Sequence, residues 1–165
     1  VLGKGDQRFL YGIILNELYS FAEAKYGYAY EKAYYVDLSA CTDIAGATHF
    51  AFSSLKTFMY YAVGRKVYRV NFSNAAPAAE LQFELSEGEE ITCLKFYLWE
   101  QEDADNRSYD LIVGSKKNDT GESTLRIYDG FTNEGNFQDA VPVEQYAGFA
   151  DIVDVIYREK VIYQQ

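Results

Sequence analysis

The sequence predicts an all-β protein, and three observations carry that expectation. The first is a motif that occurs twice. Tyr61-Ala62-Val63-Gly64 followed by Val67-Tyr68-Arg69-Val70-Asn71 is echoed by Leu111-Ile112-Val113-Gly114 followed by Leu125-Arg126-Ile127-Tyr128-Asp129. Each copy reads as an apolar run, a glycine turn and an alternating run closing on Asn or Asp, the form of two paired strands. The second is that short apolar runs alternate with turn-forming residues, while no window of a dozen residues holds a capped apolar period of 3.6. The third is composition: sixteen Tyr and eleven Phe bring aromatics to 17%, and flat side chains pack well on pleated surfaces.

Taken in order, the strand signals begin with 9–16 and 18–23, joined by a turn near Asn16-Glu17, and continue with 28–38. A loop at 39–46 has room for one short helical turn. The next unit reads as four strands, 48–52, 57–63, 66–72 and 81–85. A second unit of four follows at 90–99, 110–115, 123–129 and 141–146, with its inserts in the loops 100–108, 116–122 and 132–140. Another first strand is expected at 151–157. Glu90-Ile91-Thr92 and Asp151-Ile152-Val153 lie 61 positions apart, and Val67 and Leu125 lie 58 apart, so one unit recurs with its length varying in the loops.

Tandem four-stranded antiparallel units without intervening helices are the sequence form of β-propeller blades. A β-sandwich or an irregular open sheet is the alternative, and the repeat favours the propeller. The predicted fold is therefore a WD-repeat-like β-propeller, present in part. A blade remnant falls at 1–47, blades at 48–87 and 88–147, and closing or next-blade strands at 148–165. About three blades fall short of the four to eight that close a ring. The expectation is thus a fragment of a longer chain, with the rest of its own propeller as a partner.

The chain of 165 residues, 48% hydrophobic, is long enough for a sizeable core. Its net charge of −10, with no Lys/Arg cluster, repels phosphate backbones and argues against nucleic acid as a partner. No apolar stretch approaches the roughly 20 residues that span a bilayer. The sequence opens on Val1 and not on Met, so the lack of a visible export signal leaves the compartment open. Cys41 and Cys93 are too few for a disulfide framework and read as unpaired core thiols.

Three stretches together, 47–54, 60–64 and 66–71, resemble the C-terminal propeller region of the PKD-like surface lipoproteins of Bacteroidetes. The similarity continues through Glu90-Ile91-Thr92, Lys95-Phe96, the run 125–129, Gly148-Phe149 and the run 153–157, and covers roughly residues 5–160. Val70 and Asn71 depart from it, standing where that family tends to have Tyr and Asp. The resemblance implies an exported, lipid-anchored protein of the cell envelope with Ig-like domains ahead of the propeller. It implies no catalytic residues.

The candidate site residues are few. His49, the single histidine, excludes a His-rich metal site and is expected as a structural polar group bonding to a neighbouring strand. No nucleophile elbow, phosphate loop or dinucleotide fingerprint occurs. In the acidic run 100–108, Asp103 and Asp105 could ligate calcium through hard oxygens, although Arg107 and Ser108 spoil the loop pattern and a solvated hairpin tip is the plainer reading. No other cofactor is indicated. Glu87, Glu89 and Glu90 around Gly88 read as a turn between blades. Tyr26, Tyr28, Tyr30 and Trp99 are candidates for stacking on sugar rings, against the plainer reading of cross-strand packing. The function expected is a non-enzymatic surface binding or scaffold module for a glycan or protein. The alternatives are a glycan-active propeller hydrolase using acidic residues, and a purely structural part of a larger propeller.

Overall fold

The computed structural model describes residues 2–4, 7–14, 17–23, 30–53, 58–72, 74, 77–100, 107–130 and 135–156. They contain β1 (Leu2–Lys4), β2 (Gln7–Ile14), β3 (Glu17–Glu23), β4 (Tyr30–Asp37), β5 (His49–Phe52), β6 (Phe58–Val63), β7 (Lys66–Asn71), β8 (Ala79–Glu84), β9 (Glu89–Glu100), β10 (Arg107–Lys117), β11 (Ser123–Asp129) and β12 (Glu144–Phe149). One 3-10 turn, Ile44–Gly46, falls in the loop where a helical turn was expected. The strands form three four-stranded sheets: β1 to β4 (sheet 1), β5 to β8 (sheet 2) and β9 to β12 (sheet 3). In each, strands adjacent in sequence are adjacent in space and antiparallel, because short connections can join only antiparallel neighbours.

Sheet 2 lies between two cores. Along β6, Met59, Tyr60, Tyr61 and Ala62 are all buried, which a strand shows only when both of its faces are covered. Met59 and Tyr61 pack with Val70 and Phe72 against Val36 of β4 and against Leu38, Cys41 and Ile44 of the loop that follows it. Tyr60 and Ala62 point the other way, joining Val67 to Ile91, Leu94, Leu111 and Val113 of sheet 3. Tyr61 stacks on Tyr68 at 5.1 Å and Tyr60 on Phe96 at 5.2 Å. Side chains of this size contribute roughly 1.5–3 kcal/mol each when buried.

The doubled motif therefore has a packing meaning. Tyr61 and Leu111 face the preceding sheet, and Val67 and Leu125 alternate to the opposite faces of β7 and β11. Its glycines are not equivalent, which corrects the expectation of a glycine turn in both copies. Gly64, at φ +56°, makes the turn from β6 to β7. Gly114 lies inside β10, beside a register shift, because a Cβ there would meet Ile152 Cγ2 at 2.8 Å and Cys93 Cβ at 3.0 Å. The turn of the second copy comes later, at 118–121.

Other boundaries also move. The N-terminal unit is a complete four-stranded sheet, because the short β1 pairs with β2. β9 and β10 extend into the expected loops, pairing as far as Glu100 with Arg107. β12 starts three residues late, because Pro142 has no N–H to give the ladder and Val143 N makes the first bond, to Ile127 O at 2.8 Å. Residues 151–156 belong to no ladder among the described residues, which corrects the strand expected there. They cross the outer face of sheet 3 as a strap. Ile152 is seated on Gly114, Thr92 Oγ1 donates to Ile152 O at 2.6 Å, and Lys116 and Lys95 pair with Asp151 and Asp154 at 2.6 and 2.8 Å.

Candidate functional site

A cleft of about 640 Å³ opens on the side of sheet 3 that faces sheet 2. Two turns form its mouth. Ser86, Glu87 and Gly88 lead into β9, and Lys117, Asn118 and Asp119 leave β10. Asn118 N donates to Gly88 O at 2.8 Å and holds the two turns together. The second turn closes on itself, with Asp119 Oδ1 accepting Thr120 N at 2.8 Å and Gly121 N donating to Lys117 O at 2.8 Å. The floor comes from strand alternation, because Thr124 and Arg126 share a face of β11 and stand opposite Ala147 and Gln145 of β12.

Arg126 is the most constrained group there. Its Nη1 lies 2.9 Å from Glu89 Oε2 and donates to Ser115 Oγ at 2.7 Å, and its Nη2 donates to Glu89 Oε1 at 3.1 Å. Ser115 Oγ donates in turn to Glu89 Oε2 at 2.8 Å. The two charged side chains are only 12% and 5% exposed, and a planar guanidinium matched to both oxygens of a carboxylate is the geometry that makes such burial tolerable. Glu89 therefore has a structural partner at each oxygen. Around the cleft, Lys117 and Arg126 nearly balance Glu87, Glu89 and Asp119.

A smaller cavity of about 200 Å³ lies between β5, β9 and the strap, lined by His49, Cys93, Lys95 and Asp154 among others. His49 Nδ1 lies 2.9 Å from Thr48 Oγ1, its neighbour in sequence, and not from an adjacent strand as expected. Lys95 holds the Asp154 carboxyl below the usual carboxylate range, while burial pushes the Cys93 thiol up. Cys41 and Cys93 are both buried free thiols.

Of the residues singled out from sequence, His49 and Cys93 line the smaller cavity and Glu87 and Glu89 line the main cleft. Tyr30 begins β4 opposite Glu23, and Trp99 lies in β9 opposite Ser108. Tyr26, Tyr28, Asp103 and Asp105 fall outside the described residues. Among the described residues no group of three His, Cys, Asp or Glu side chains is placed to hold a metal, and no helix is long and apolar enough to cross a membrane. Sequence reasoning missed Thr124, Arg126 and Gln145. The available signal was Arg126 itself, a charged side chain at an inward position of the repeat.

No family model matches the chain, and no curated protein does. Among solved structures it is similar to a quinoprotein alcohol dehydrogenase-like protein of Bacteroides thetaiotaomicron. The identity is 14% and the TM-score 0.43, over 87% of this chain and 34% of that one. The chain thus spans about a third of that protein's length, and a likeness this distant assigns it no activity.

Proposed function

We propose that the chain is a non-enzymatic binding or scaffold module, three blades of a WD-repeat-like propeller. On the strength of its likeness to the PKD-like surface lipoproteins, we place it at the cell envelope. One observation carries the reading: the same face-to-face packing recurs along the chain. Val36 and the loop after β4 pack on one face of sheet 2, and sheet 3 covers the other. The strap then lies on sheet 3 much as β9 lies on sheet 2, with Ile152 on Gly114 and Ile91 N bonded to Gly64 O. Such a stack is a rigid frame that leaves recognition to its turns and clefts. Its outer apolar face is left for the rest of its own propeller. The locked Glu89–Arg126 pair in the main cleft fits a frame better than an acid–base catalyst.

The test is a panel of soluble polysaccharides and glycoconjugates, scored for both retention and release of reducing sugar. Retention without release supports the reading. Release of reducing sugar by the folded chain would overturn it in favour of a hydrolase.

A further inference from the structure

The main cleft contains a hydroxyl, on a largely buried residue, that the fold does not use. Thr124 is 4% exposed and lines the cleft, and its Oγ1 has no hydrogen-bond partner among the described residues. No side-chain nitrogen or oxygen among those residues is both enclosed and unpartnered, so this hydroxyl is reached from the cleft. From there water or a ligand supplies the partner that the fold does not. Beside it, Arg126 spends three of its five N–H groups on Glu89 and Ser115 and has the others left over. Gln145 stands across the ladder from Arg126, and Asn118, Asp119 and Glu87 rim the opening.

Fixed donors lie at the floor, planar amides and carboxylates lie at the rim, and the charges nearly cancel. Sugar hydroxyls donate and accept at once, and adjacent ring hydroxyls can bridge the two polar atoms of an amide or carboxylate. A neutral sugar needs no net field to hold it, and clefts of roughly 300–1,000 Å³ suit small ligands. We propose that this cleft is a subsite for a neutral mono- or disaccharide. Thr124 Oγ1 and the spare N–H groups of Arg126 donate to ring oxygens, and Glu87 and Asp119 accept from ring hydroxyls. This rests on the binding-module reading above and names its site and ligand class.

The experiment is an array of neutral and of uronate or sulfated oligosaccharides, followed by calorimetry on the best ligand with the intact chain, Thr124→Val and Gln145→Leu. Valine keeps the β-branched shape and removes only the hydroxyl, so the melting temperature should hold. Expected is retention of neutral sugars, with affinity reduced five- to tenfold by Thr124→Val and further by the double variant. Neutral sugars bound equally well by the double variant would overturn the site and leave the module reading standing. No retention by the folded chain, or a preference for anionic sugars, would also overturn it. Release of reducing sugar would overturn the module reading itself.

Discussion

At the residue scale, Gly114 shows how one missing side chain can set a packing distance. A methyl group there would press on Ile152 and on Cys93 Cβ. Gly114→Ala should therefore cost about 1–3 kcal/mol by urea unfolding, as overpacked sites do. Ile152→Ala added to it should cost less than the two separate losses together, because the residues touch. From sequence Gly114 looked like a turn glycine, since Gly64 in the first copy is one. Local sequence does not record the strap 38 residues downstream that takes up the space. The buried tyrosines set the response to alkali. Burial pushes the Tyr60, Tyr61 and Tyr128 phenols up from their ordinary value near 10. Above about pH 10 the unfolded chain loses these protons while the folded chain keeps them, so stability falls as pH rises past that point. Phenolate absorbance should accordingly rise in two stages, exposed tyrosines first and the buried ones together with unfolding. A single smooth rise ending before unfolding would contradict this.

At the element scale, the segment 135–140 ahead of β12 reaches into the core. Phe137 is fully buried and meets the Tyr60 ring edge-on at 5.6 Å, and Tyr60 OH donates to Gly135 O at 2.6 Å. The partner strand is shaped to receive it. A register shift in the pairing of β7 with β8 leaves Gln82 without a partner opposite, and its Oε1 accepts Phe137 N at 2.8 Å. Phe137→Ala should cost about 3–5 kcal/mol and speed amide exchange at residues 135–140. If exchange there stayed slow, Gln82 and Tyr60 alone would be holding the segment. Sheet 2 was legible strand by strand, because alternation over six residues with turn formers at both ends is a strong signal. The Phe137 segment was not, because one aromatic in an irregular run has no period to reveal its burial. The cleft was harder still to see. Its parts come from β9, β10, β11 and β12, and only the register places Glu89 beside Arg126.

At the scale of the whole molecule, the outer side of sheet 3 gathers exposed apolar side chains among the described residues. Tyr146 and Phe149 on β12 are about half exposed, and Val153 and Ile156 on the strap are 82% and 77% exposed. The equivalent face of sheet 2 carries sheet 3. Apolar surface gathered at one end of a stack is a contact surface waiting for cover. In dilute solution another copy of the chain can supply that cover, and each copy carries a net charge of −10. Repulsion between like-charged copies is long-ranged and screened by salt, whereas burial of apolar side chains is not weakened by it. Self-association should therefore be slight at low ionic strength and grow as salt is added, the reverse of an ion-paired interface. Light scattering across a concentration series at two salt levels reads this directly. The double variant Val153→Asp, Ile156→Asp should stay monomeric at both, with an unchanged melting temperature, because neither side chain is buried in the folded chain. If the native sequence remained monomeric in high salt and bound no hydrophobic dye, the strap would already be sufficient cover for sheet 3.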